Sequence, residues 1–184
     1  RYVELATGEI KKMKTDAKNR SDNYKSVQST MRKLRRLIAN NFFGGVNELW
    51  ITLTFKENLT DSAKAYTYFK VFMQRLRKDY KHIEYIAVIE PQLRGAWHFH
   101  VLLKDTTGKK LFISNNDLAD KYWKKGFVNV KRLKESDNVA AYVMAYVSDV
   151  KLPSTEEEKK QHSSKIKKGL RLHMYPKGLR IYRA

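Results

Sequence analysis

The chain has 184 residues, 42% of them hydrophobic and 31% charged, which is enough apolar content for one buried core under a solvated surface. Its 38 Lys and Arg outnumber its 19 Asp and Glu, leaving a formal charge of +19 spread along the whole sequence. A compact state that repels itself this strongly fits a polyanionic partner, nucleic acid ahead of a membrane surface. The absence of cysteine excludes a disulfide framework, a thiolate metal site and a cysteine nucleophile; no apolar run reaches the length of a membrane span, and no phosphate-loop motif of a helicase motor occurs.

Residues 1 to 25 are polar and lysine-rich, an arm with at most a short strand at Tyr2 to Leu5. Arg1-Tyr2-Val3-Glu4 does not open a secretory signal, so the chain reads as cytoplasmic, and a start at Arg1 with a stop at Ala184 is compatible with a piece of a longer protein. Val27, Met31, Leu34 and Leu37/Ile38 then recur at helical spacing with Arg32, Lys33, Arg35 and Arg36 between them. Such a basic amphipathic helix serves either as a packed helix with a solvated face or as one that contacts phosphates, and the two readings weigh about evenly.

Asn40-Asn41 and Gly44-Gly45 end that helix. Leu49 to Phe55 alternates strictly and predicts a strand that buries Leu49, Ile51, Leu53 and Phe55. Thr60 or Asp61 caps the next helix, whose stripe is Ala65, Phe69, Phe72/Met73, Leu76 and Tyr80. A second strand, Tyr85 to Glu90, runs through the turn-like Pro91-Gln92-Leu93-Arg94-Gly95-Ala96 into Trp97-His98-Phe99-His100-Val101-Leu102-Leu103. So short a link predicts an antiparallel hairpin. A short helix capped near Asn116/Asp117 and ending at Trp123, a strand from Phe127 to Leu133, and a helix from Ser136 or Asp137 to Val150 follow. Ser154 to Lys168 is a charged insertion. Leu170 to Tyr175 and Leu179 to Tyr182 are short extended pieces. Antiparallel strands interleaved with helices predict an α+β domain, with helices on one sheet face and the other face free to hold a site.

On a strand, His98 and His100 share one face. An HxH taken alone is more often an ordinary strand that happens to carry two histidines. Here, however, Glu90 ends the partner strand near where His98 enters, and its carboxylate reaches the histidine face in one of the possible registers; its alternative partner is Arg94. Two imidazoles and a carboxylate can hold a divalent ion with positions left open. The donors suit Mg²⁺ or Mn²⁺ when a substrate supplies phosphate oxygens, and the residue types also admit iron and zinc. On the last helix Tyr142 and Tyr146 are four residues apart and so neighbours. Val139, Val143, Val147 and Val150 make its buried stripe, with Tyr146 at the margin and Tyr142 just outside.

Glu90-x7-His98-Phe99-His100, the Arg94-Gly95-Ala96-Trp97 lead-in and Tyr142-x3-Tyr146 resemble the HUH endonucleases, and within them the rolling-circle replication initiators (Rep proteins) of bacterial plasmids and phages. The resemblance covers roughly residues 47 to 150. It implies a single domain built on an antiparallel sheet of about five strands with flanking helices, the RRM-like Rep nuclease fold. Residues 1–46 would be the arm and basic helix, 47–150 the endonuclease core and 151–184 a basic extension of the same domain. It also implies Mg²⁺ or Mn²⁺ on Glu90, His98 and His100, with Thr52/Thr54 in the leading motif strand. Tyr142 would be the nucleophile on single-stranded origin DNA, Tyr146 the second tyrosine, and a 5′-phosphotyrosine the intermediate. Arg32, Lys33, Arg35, Arg36, Arg94 and Lys151 would contact nucleic acid, and unwinding would need a host or separately encoded helicase. Many members carry lysines where this chain has Ala145 and Asp149, so Lys151 or another base takes that part, or nicking is slow, or the chain is a variant. Two other readings share these features: a relaxase or transposase with the same clamp, and a non-enzymatic basic module that binds RNA or DNA through its sheet.

Overall fold

A computed structural model describes residues 2–11, 17–133, 139–141, 143 and 171–184. The arm contributes a two-stranded hairpin, β1 (Tyr2–Val3) with β2 (Ile10–Lys11). The helix α1 (Tyr24–Ala39) follows, its first turn capped by Asn23, whose side chain accepts from Ser26 N. The remaining strands form one antiparallel sheet. β5 (Trp97–Asp105) is its centre, with β3 (Glu48–Thr54) on one side and β4 (Ile83–Pro91) on the other. β6 (Val128–Lys131) adds outside β3, and β7 (Tyr182–Arg183) adds outside β4. The molecule is thus an α+β domain with a five-stranded antiparallel sheet and flanking helices, as the sequence predicts.

Period-two alternation sorts the strands into two faces. On one face Trp97, Phe99, Val101 and Leu103 stand in register with Leu49, Ile51 and Leu53 of β3 and with Tyr85, Ala87 and Ile89 of β4. The helix α2 (Ser62–Asp79) covers this face, started by Asp61, whose carboxylate accepts from Ala63 N and Lys64 N. Its Phe69 and Tyr66 rings lie 4.7 and 5.5 Å from the ring of Phe99, the spacing at which aromatic pairs attract beyond their buried area.

The opposite face carries Trp50, Thr52 and Thr54 of β3, Ile86, Val88 and Glu90 of β4, and His98, His100 and Leu102 of β5. The sequence predicts a free face here, but Trp50, Ile86, Val88 and Leu102 are all buried. The physical reason is α1. Its stripe of Val27, Met31, Leu34 and Ile38 is buried and needs an apolar surface to cover. The end of the helix lies over this face: Lys104 donates to the Asn41 carbonyl at 3.1 Å and sits 5.5 Å from the ring of Phe42. Glu48, itself buried, accepts from the backbone N–H of Phe43 and of Gly44, at 3.0 and 2.7 Å, and ties the same loop to the start of β3.

Two local expectations shift. The short helix α3 (Asn115–Asp117), which continues as a π-helical turn over Leu118–Trp123, is capped by Ser114, not near Asn116/Asp117. The Ser114 hydroxyl accepts from Asp117 N at 3.0 Å, which frees the Asn115 side chain to accept from Val130 N. Leu172–Met174 is a 3₁₀ turn instead of an extended piece, because Leu172 and Tyr175, three apart, both point into the core. The Tyr175 hydroxyl donates to the Ile89 carbonyl at 2.9 Å, fastening the tail to β4.

Candidate metal centre

The turn between β4 and β5 is tight: Gln92 N donates to the Ala96 carbonyl at 2.7 Å and Gly95 N to the Gln92 carbonyl at 2.9 Å. Gly95 takes φ +90°, a conformation that glycine adopts without steric cost. This turn fixes the register that puts Glu90 directly opposite His98. That register brings the carboxylate onto the histidine face, since directly paired residues project on the same side.

The three side chains converge. His98 Nε2 and His100 Nε2 are 2.9 Å apart, and each is 3.2 Å from Oε2 of Glu90. Both imidazoles are buried and the carboxylate is nearly so. Arg94, the alternative partner for Glu90, turns away and donates to the Gln92 side chain at 3.1 Å and to the Phe55 carbonyl at 3.3 Å.

The electrostatics favour a ligating state. Burial opposes charge on Glu90, but hydrogen bonds from His100 and His98 outweigh it and push the carboxyl down to about 2. Burial also holds His100 below the ordinary imidazole range, more than the facing carboxylate offsets. At neutral pH, Glu90 is therefore a carboxylate and His100 a neutral ring with a lone pair to give.

The donor set fits a divalent ion. Cis ligands about a cation with bonds of ~2.1 Å are separated by roughly 3.0 Å, and the observed edges are 2.9, 3.2 and 3.2 Å. Among the described residues this is the group of His and acidic side chains that could hold a metal. With Nε2 of His100 turned inward, its Nδ1 faces the Thr52 hydroxyl at 3.4 Å, and Trp50 stacks on the same ring at 5.2 Å and 3° from parallel. The resemblance places Thr52 in the leading strand, whereas nothing in the alternation of that strand singles out the Trp50 ring. Nδ1 of His98 is buried and has no hydrogen-bond partner among the described residues.

Arg32, Lys33, Arg35 and Arg36 are exposed on α1, and neither they nor Arg94 bonds to the three ligands. Tyr142, Tyr146 and Lys151 lie outside the described residues, as do Val147 and Val150; of that segment Val139, Ala140 and Val143 are buried. Among the described residues no helix is long and apolar enough to cross a membrane.

No curated protein and no solved structure matches the chain. A family model does, that of the replication-associated protein ORF2, over residues 48–151. The matched stretch opens on the first residue of β3, runs through the Glu90, His98 and His100 triad, includes positions 142 and 146, and spans more than half of the sequence. The chain belongs to the replication-associated protein ORF2 family.

Proposed function

We propose that this chain is an HUH-type endonuclease that initiates rolling-circle replication by nicking single-stranded DNA at an origin. The observation that carries the reading is the closed triangle of Glu90, His98 and His100 inside a chain of a replication-associated family. A Mg²⁺ or Mn²⁺ ion held there would supply Lewis-acid polarisation of a phosphate oxygen. The rest is work for the protein's own groups. Glu90 supplies a full negative charge at neutral pH, and His100 keeps its ring aimed by Thr52 and Trp50.

In this reading the Tyr142 oxygen attacks phosphorus in line, losing its proton as the Tyr–O–P bond forms. The P–O3′ bond breaks and the 3′ oxygen takes up a proton. The product is a 5′-phosphotyrosine ester and a free 3′-hydroxyl. That hydroxyl can prime synthesis, and because the ester conserves the phosphodiester bond, a later 3′-hydroxyl can attack it and rejoin the strand. Tyr146 serves as the second tyrosine, and Lys151 takes the part of the lysines that Ala145 and Asp149 replace. The exposed cations Arg32, Lys33, Arg35 and Arg36 and the loop residue Arg94 follow the DNA backbone, giving an affinity that falls steeply with salt. On this reading residues 47–150 form the nicking core, flanked by the basic segments 1–46 and 151–184 of the same domain, and a separately encoded helicase does the unwinding.

The test is covalent trapping on single-stranded oligonucleotides with Mn²⁺, followed by sequencing of the DNA and the modified peptide. Tyr142→Phe removes the denaturation-resistant adduct while leaving oligonucleotide binding largely intact. An adduct that persists in Tyr142→Phe and disappears in Tyr146→Phe reverses the assignment. Binding that is indifferent to EDTA, with no adduct under any condition, leaves the non-enzymatic module instead.

A further inference from the structure

The register of the sheet extends the metal centre's row outward. Leu53 pairs with Val128, and one step further Thr54 N donates to the Phe127 carbonyl at 2.9 Å. Phe127, the residue just before β6, therefore stands side by side with Thr54 of β3, His98 of β5 and Glu90 of β4. The burial pattern agrees with the facing. Val128 is buried toward α2, whereas Phe127 on the histidine side is 69% exposed. Asn129 and Lys131 alternate with it on that same side of the strand.

A phenylalanine in so open a position forgoes the stabilisation of burial, and its setting indicates what covers it. Two strand spacings, roughly 10 Å, separate it from His98. Within four residues of Phe127 or of Thr54 the charges are Lys124, Lys125, Lys131 and Lys56, opposed only by Glu57; Lys125 lies over the Tyr68 ring of α2 at 4.2 Å, which leaves the other three lysines. An exposed ring among cations, on the row of a candidate metal centre, is the composition that binds single strands: the cations hold backbone and the ring takes the face of a base. A duplex does not fit, because both faces of each of its bases are already stacked.

We infer that Phe127 is a stacking platform for a base of single-stranded DNA crossing the histidine face, and that it seats the nucleotide beside the phosphate presented to Glu90, His98 and His100. The second half of this inference rests on the nicking reading; the stacking itself does not.

The experiment uses the full chain in EDTA, so that no cleavage intervenes, and follows the anisotropy of a labelled mixed-sequence single-stranded oligonucleotide. Phe127→Ala should weaken binding roughly tenfold and Phe127→Leu nearly as much, while Phe127→Tyr stays within about twofold of wild type. The slope of log Kd against log salt should not change, because the phosphate contacts remain, and affinity for a duplex of the same sequence should not move. Phe127→Ala or Phe127→Leu binding as wild type, or an equal loss on duplex, overturns the platform. Mn²⁺ titration of Phe127→Ala must match wild type, since a loss there would trace the effect to a disturbed triad and also overturn it. The two readings fail separately. A wild type that forms no adduct but shows the ring-dependent binding loses the nicking reaction and keeps the platform, and normal adduct formation with indifferent Phe127 variants does the reverse.

Discussion

Trp50 and His100 stack across neighbouring strands, their rings 5.2 Å apart and within 3° of parallel. Trp50 stands opposite Leu102, one step of the alternation along from Thr52, which stands opposite His100. One strand thus holds the imidazole twice, through the indole against its plane and through the Thr52 hydroxyl at Nδ1, 3.4 Å away. A ring held in plane and tautomer presents Nε2 to the ion without losing rotational freedom on binding.

Thr52→Ala removes the hydroxyl and leaves the stacking. Its Mn²⁺ affinity should fall by about tenfold to a hundredfold, the usual cost of losing a partner behind a ligating histidine. Thr52→Ser should restore most of it. Calorimetric titration with Mn²⁺ measures both; an alanine variant that binds Mn²⁺ as tightly as wild type shows that the indole alone orients the ring.

The hairpin and its triad are legible in the sequence because the link from Pro91 to Ala96 is too short for anything but antiparallel pairing, and pairing then leaves Glu90 and the two histidines a choice between few registers. The α2 face is legible for the same kind of reason, since Leu49, Ile51 and Leu53 alternate and Phe69, Phe72 and Leu76 recur at helical spacing. What the pattern could not carry was contact between distant segments. Trp50 occupies the polar phase of its strand's alternation, and its burial becomes apparent only once α1 is laid over that face. Tyr182–Arg183, the fifth strand, is two residues long and has no period to read. Phe127 reads as one more apolar strand residue until its register puts it on the histidine row.

Acid should destabilise the fold through the triad. Burial holds His100 below the 6.5 of a free imidazole, so below that pH the unfolded chain takes up a proton that the folded chain refuses. The stabilisation is complete above 6.5 and is lost as the pH falls toward the folded value. Glu90 acts with the same sign in a lower window. Its folded value is about 2 against 4.5 when free, so its contribution is present above 4.5 and disappears on the way down to about 2. Denaturant unfolding in EDTA, taken between about pH 5 and pH 8, should therefore show stability level at the upper end and falling below 6.5. His100→Asn should flatten that upper slope. A wild-type curve that rises as the pH drops through this range contradicts the burial-driven shift.

Gly126 is the residue that allows Phe127 to reach its row. A Cβ built there would lie 2.5 Å from the backbone nitrogen of Lys56 and 2.5 Å from the carbonyl oxygen of Thr54. The turn before β6 is pressed against the end of β3 by the Lys56 N to Lys125 carbonyl bond of 2.8 Å, and no flexible side chain stands there to yield. Trp123 fastens the same place, its indole N–H donating to the Thr54 carbonyl at 2.7 Å. Gly126→Ala must therefore push β6 away from β3, at a cost of about 1–3 kcal/mol, the range for extra volume forced into a packed site. For a chain of this length that is a drop of roughly 2–12 °C in Tm. Single-strand affinity should fall with it, because Phe127 leads into the displaced strand, whereas Mn²⁺ affinity should hold, because Glu90, His98 and His100 lie on β4 and β5 beyond the disturbance. A Gly126→Ala protein with wild-type melting shows that the turn relaxes without moving β6; one that loses Mn²⁺ and oligonucleotide together shows that the sheet transmits the displacement to the triad.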